Sequence, residues 1–115
     1  MNRRVLVVDD DPAMVQTLCD ILRIKGWEAE GVFSGEAAIS CLRERTWPVV
    51  LMDIRMPGID GVEACRVMMG MEPKPRVILM TAQADPSRLR EAESQGAWQV
   101  LPKPLDLSRL LTLME

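Results

Sequence analysis

Apolar residues are distributed along this chain in two distinct ways. Short runs rich in β-branched side chains recur at residues 5–8 (VLVV), 49–52 (VVLM) and 77–80 (VILM), with weaker runs at 29–33 (AEGVF) and 98–101 (WQVL). These five runs read as strands. The three strongest do not alternate apolar with polar residues, which is the pattern of strands covered on both faces of a parallel sheet. Between the runs the spacing changes. Val15, Leu18, Cys19 and Leu22 fall at i, i+3, i+4 and i+7, and Leu107, Leu110, Leu111 and Met114 repeat that spacing, so both segments are expected to be amphipathic helices. Ala38, Cys41 and Leu42 behind a Ser34 cap predict another helix, and Val62, Cys65 and Met69 behind Asp60 a further one. Asp85-Pro86 reads as a cap with proline at the first helical position, opening a fourth helix that Gly96 would close. Its apolar stripe, Leu89 and Ala92, is thin: such a helix is a candidate moving part, although a thin stripe is more often just a shallowly packed surface helix.

Strands and helices alternating with short connections imply an α/β architecture of (βα)5 type, a doubly wound, five-stranded parallel sheet with right-handed crossovers. There is no internal repeat and no linker, and 115 residues suffice for one domain with a real core but not for two ordinary ones. In open sheets of this kind ligands bind at the carboxyl ends of the strands, where the strand order reverses. With the flavodoxin-like order 2-1-3-4-5, the first and third strands are neighbours at that point.

Composition narrows the function classes. The 48% apolar and 27% charged content is that of a globular protein, and the four apolar residues after MNRR are too short for a signal-peptide core. No run approaches the roughly 20 residues that span a bilayer, so a cytoplasmic location without membrane contact is expected. Three cysteines without CxxC spacing, Cys19, Cys41 and Cys65, are expected to be buried free thiols. The absence of histidine removes the usual general base and argues against zinc. A net charge of -3, with Arg and Lys scattered and no aromatic interleaving, argues against a nucleic-acid surface within these residues.

The first strand runs straight into Asp9, Asp10 and Asp11. Two unit charges about 4 Å apart repel by roughly 4 kcal/mol at an effective dielectric of about 20, so a positive partner is expected close by. The ends of the later strands are equally pointed: Asp53 ends the third, Thr81 comes directly after the fourth and Lys103 after the fifth, all at one sheet edge. Clustered carboxylate oxygens without nitrogen or sulfur ligands favour a hard cation, Mg²⁺ over Ca²⁺. A carboxylate beside such an ion, with a lysine and a threonine aimed at the same point, can attack phosphorus. Asp53 is the candidate nucleophile. Singly, each residue has a plainer explanation: Asp11 as a helix cap, Thr81 as a strand-end hydroxyl, MPG as a turn and Lys103 as a solvated lysine.

Taken together, VLVVDDDP, VVLMDIRMPGIDG, VILMTA and LPKP resemble, in order and spacing, the response-regulator receiver domain of two-component signalling. The resemblance covers nearly the whole chain. It implies that Asp53 is the phosphoacceptor, that Asp10, Asp53 and the backbone carbonyl of Arg55 coordinate Mg²⁺ with Asp9 acting through water, and that Thr81 and Lys103 bind the phosphoryl oxygens. It further implies a cis bond at Lys103-Pro104, a phosphohistidine donor on a sensor histidine kinase or histidine phosphotransfer protein, and a switching face of fourth helix, fifth strand and fifth helix. An output domain or a second copy would dock there, in which case residues 1–115 are a receiver cut from a longer protein. One departure stands out: the aromatic that this family usually carries three residues before the lysine is Val100 here. Trp98 is the candidate substitute, with packing on the fourth helix the more ordinary reading. Arg55 and Gln83 occupy positions that in this family influence phosphoryl lifetime. Two rival readings fit less well. A haloacid-dehalogenase-type phosphohydrolase needs a second aspartate two residues after the nucleophile, where Arg55 stands; a pseudo-receiver binds partners without phosphorylation, against which all five site positions are intact. A flavin-binding reading fails for want of a Gly/Ser/Thr-rich phosphate loop after the first strand.

Overall fold

In the computed structural model, which describes residues 2–82 and 86–115, five strands and five helices alternate strictly. They are β1 Arg4–Val8, α1 Pro12–Ile24, β2 Glu28–Val32, α2 Gly35–Glu44, β3 Val49–Asp53, α3 Gly61–Met68, β4 Arg76–Thr81, α4 Pro86–Ser94, β5 Gln99–Pro102 and α5 Leu107–Met114. All pairings are parallel, as the pattern of runs predicts, and the order is β2-β1-β3-β4-β5, that of the flavodoxin-like arrangement.

The unbroken apolar runs have a simple cause. Val5 and Val7 of β1, with Val49 and Leu51 of β3 and Ile78 and Met80 of β4, face a core closed by α1 and α5. Leu6 and Val8, with Val50, Met52, Val77 and Leu79, face a second core closed by α2, α3 and α4. Every residue of β3 is therefore buried, so both side-chain sets must be apolar until the strand ends at Asp53. The edge strand β2 differs: Glu28 and Glu30 are exposed, and charge on an edge discourages pairing with another chain.

Helix starts match the capping residues. The Asp11 side chain accepts from Ala13 N and Met14 N, Ser34 from Ala37 N, and Asp60 from Glu63 N, as the sequence suggests; Asp106 does the same for α5 through Arg109 N. Asp85, the expected cap of α4, lies outside the described residues. Gly96 follows α4 at φ +94°, a left-handed conformation suited to glycine. The anchoring of the helices is unequal. Val15, Leu18, Cys19 and Leu22 of α1 are all buried, whereas in α4 only Ala92 is.

One expectation needs correction. Cys19 and Cys65 are buried free thiols, and desolvation pushes the Cys65 thiol up to about 11, but Cys41 is half-exposed because it flanks the α2 stripe. Trp98 is 40% exposed and lies under the Arg76 guanidinium, 4.7 Å from the ring centroid. Among the described residues, no helix is long and apolar enough to cross a membrane.

Candidate functional site

β1 ends at Val8, and the next residues diverge. Asp9 N donates to Val32 O at 3.3 Å, prolonging the ladder with β2, which turns the Asp9 carboxylate inward to 1% exposure. Asp10 then faces outward and is exposed. On the neighbouring strand Asp53 stands opposite Met80 and is 7% exposed. Ile54 N donates to Met80 O at 3.0 Å, and Gly61 N to Ile54 O at 2.7 Å, so the start of α3 folds back onto the end of β3. Only glycine permits that approach, because a Cβ at Gly61 would lie 2.3 Å from the Asp53 carbonyl oxygen.

Lys103 supplies the positive partner that the acidic run requires. Its N–H donates to Thr81 O at 2.8 Å, fixing it at the same sheet edge, and the Lys103-Pro104 bond is cis, as the resemblance implies. The Lys103 Nζ lies 3.0 Å from Asp9 Oδ2 and 3.3 Å from Asp53 Oδ2, bridging the two buried carboxylates. Asp9 Oδ1 accepts from Asp11 N at 3.1 Å, and Asp53 Oδ1 from Arg55 N at 3.4 Å. One ligand oxygen from each of Asp9, Asp10 and Asp53 lies within 4.8 Å of the others. Thr81 is half-buried at the end of β4, and the Arg55 side chain is exposed.

The electrostatics are opposed. Burial first, and then the Asp9 charge, raise Asp53 above the ordinary carboxylate value, while the Lys103 ammonium and the Arg55 N–H pull it back. Burial alone would lower Lys103, but its hydrogen bond to Asp9 and the charges of Asp53 and Asp9 outweigh that and raise it. Lys103 is therefore an ammonium at neutral pH. Three clustered carboxylates, two of them sharing one ammonium, are short of positive charge, and an all-oxygen donor set with a charge deficit fits a hard divalent cation.

Beside the acids lies an open groove of about 430 Å³, lined by Asp10, Arg55, Met56, Asp60 and Arg88 among others. The last two form an ion pair, Arg88 Nη2 to Asp60 Oδ2 at 2.5 Å, that sequence reasoning did not anticipate. Asp60 was legible as a cap; nothing in the sequence marks Arg88 as its partner across 28 positions. Glu72-Pro73 is a second cis bond without a sequence signal. Gln83 lies outside the described residues, and Val100 is half-buried against the core under α2, α3 and α4.

Comparison with known proteins fits this geometry. The family described as the response regulator receiver domain matches residues 5–115. The chain belongs to that family. This receiver is 38% identical to the response regulator protein FleR of Pseudomonas aeruginosa over 99% of the chain and 24% of that protein. It is 32% identical to the DNA-binding response regulator MtrA of Mycolicibacterium smegmatis over 96% of the chain and 48% of that protein. Among solved structures it is similar to the beryllofluoride-activated NtrC4 receiver domain dimer, with 29% identity, a TM-score of 0.90, and coverage of 97% of this chain and 93% of that one. The receiver thus spans between about a quarter and a half of the length of these curated relatives. Receivers of two-component systems are regulatory modules, so a signalling role holds for this chain at that level.

Proposed function

We propose that this receiver accepts a phosphoryl group onto Asp53 from the phosphohistidine of a sensor histidine kinase or histidine phosphotransfer protein. The observation that carries the reading is the Lys103 Nζ held between Asp9 and Asp53, with three carboxylates converging beside it. In the transfer, an Asp53 carboxylate oxygen forms a bond to phosphorus while the phosphorus–nitrogen bond of the donor breaks. The electron pair leaves with the donor imidazole, which ends neutral once a proton from solvent balances it. Asp53 serves as nucleophile in its ionised form, and the Lys103 ammonium both favours that form and meets the charge of the incoming phosphoryl oxygens. Thr81, whose carbonyl already holds the Lys103 backbone, offers its hydroxyl to the same oxygens.

The residues fit a resident Mg²⁺, which Asp10, Asp53 and the Arg55 carbonyl would hold, with Asp9 acting through water; the ion supplies neutralisation of charge on the acids and the phosphoryl oxygens. Phosphorylation then shifts a two-state equilibrium of the segment after β4 and the face of α4, β5 and α5, where an output domain or a second copy docks. The location is cytoplasmic, and the chain forms part of a longer regulator. Arg55, two residues after the nucleophile, occupies the place where a phosphohydrolase of haloacid-dehalogenase type would need its acid. The test is intact mass after incubation with a small phosphodonor and Mg²⁺. The parent gains one phosphoryl group and Asp53→Asn gains none; no gain in either overturns the reading in favour of a pseudo-receiver.

A further inference from the structure

α4 carries one buried residue, Ala92, so apolar contact alone holds it weakly against the core. Its Arg88 reaches across the groove beside the acidic cluster to Asp60. Asp60 does two jobs with its two oxygens: Oδ1 caps α3 through Glu63 N, and Oδ2 takes the Arg88 guanidinium. The next residue, Gly61, is the one whose N–H binds Ile54 O and whose missing Cβ lets α3 touch the Asp53 carbonyl. A continuous path of hydrogen bonds and backbone contact therefore runs from the side of α4 to the phosphoacceptor residue.

We infer that the Asp60–Arg88 pair ties α4 to the backbone of Asp53 and couples the position of that helix to the state of the site. The coupling rests on the phosphoacceptor reading above; the tie itself does not. Glu91 also pairs with Arg88, at 2.9 Å, but it lies on the same helix and cannot tie α4 to anything else.

The pair is partly exposed, 33% and 37%, so its effect is modest and must be read locally. Hydrogen exchange of the α4 amides provides that reading. Asp60→Asn retains a capping oxygen while removing the charge, and Arg88→Gln removes the other partner. Each is expected to speed α4 exchange by about fivefold, with the double variant no faster than either and Glu91→Gln close to the parent. Additive effects, or no effect, would overturn the tie. In a second arm with Mg²⁺ and acetyl phosphate, mass reports phosphorylation and exchange reports α4. Per phosphorylated molecule, both charge-removing variants should lose at least half of the parent's change in α4 exchange. An undiminished change overturns the coupling. A parent that takes up no phosphoryl group overturns the phosphoacceptor reading at the mass readout, while the first arm still decides whether the tie exists.

Discussion

The two ends of the sheet solve opposite problems. At the carboxyl ends of the strands, Asp9 and Asp53 are buried side by side and share one lysine, an arrangement that crowds like charge at the expense of the folded state. At the amino ends, three tryptophans precede β2, β3 and β5, and each has an arginine over its ring: Arg3 on Trp27 at 5.0 Å, Arg4 and Arg45 on Trp47 at 5.9 and 5.6 Å, and Arg76 on Trp98 at 4.7 Å. Trp27 and Trp47 are 6% and 3% exposed, so that end buries large apolar area beneath solvated cations. Like-charge crowding at one end is tolerated because the other end, and the two cores between, hold the fold. Stability and chemistry are thus segregated along the strand direction.

The sharpest way to break this contrast is at Trp47. Trp47→Ala should lower unfolding free energy by about 3–5 kcal/mol, because it empties a large volume between α2, α3 and the sheet. Denaturant titration measures it, and a loss below about 1 kcal/mol would contradict a stabilising role for the amino end. The opposite sign is expected at the carboxyl end. Asp53→Asn, without divalent cation, should raise stability on the order of 1 kcal/mol at neutral pH, since it removes a buried charge beside Asp9. Folding raises the Asp53 value above the ordinary 3.8, so the folded state binds the proton more readily than the unfolded chain. The parent therefore loses stability as pH rises from that value through the folded one, and the gain from Asn should shrink as pH falls back towards it. Chemical denaturation of both proteins at several pH values tests this, and a loss of stability in Asp53→Asn at pH 7 would refute it.

The features legible in the sequence divide along the same line. β1, β3 and β4 were legible because strands buried on both faces must be apolar throughout, and Asp10, Asp53, Thr81 and Lys103 were legible because strand ends share one edge. The caps Ser34 and Asp60 announced themselves by local chemistry. Pairings set by tertiary geometry did not. Asp9 and Asp10 are adjacent and identical, and only the extra ladder bond to Val32 decides which one is buried. Arg88 meets Asp60 because α4 and the turn before α3 converge, a distance relation with no periodicity. The Arg76 guanidinium over Trp98 has no sequence signal either, because Arg76 sits in another strand.

The smallest expected effect concerns that last pair, and it separates the two ways a tryptophan can serve the amino end. Trp27 is buried beneath Arg3, whereas Trp98 is 40% exposed beneath Arg76. Solvent competes for a guanidinium at an exposed ring, so the Arg76–Trp98 coupling should be about 0.5 kcal/mol and the Arg3–Trp27 coupling about twice that. Arg76 also donates to Met114 O at 3.5 Å, so Arg76→Ala alone overstates the stacking. Double-mutant cycles with Arg76→Ala and Trp98→Leu, and with Arg3→Ala and Trp27→Leu, isolate the pairwise energies, because leucine removes the aromatic face at both positions. Equal couplings would mean that burial of the indole does not set the strength of these contacts. A larger coupling at Trp98 would mean that this exposed ring, and not the buried pair, anchors the amino end of the sheet.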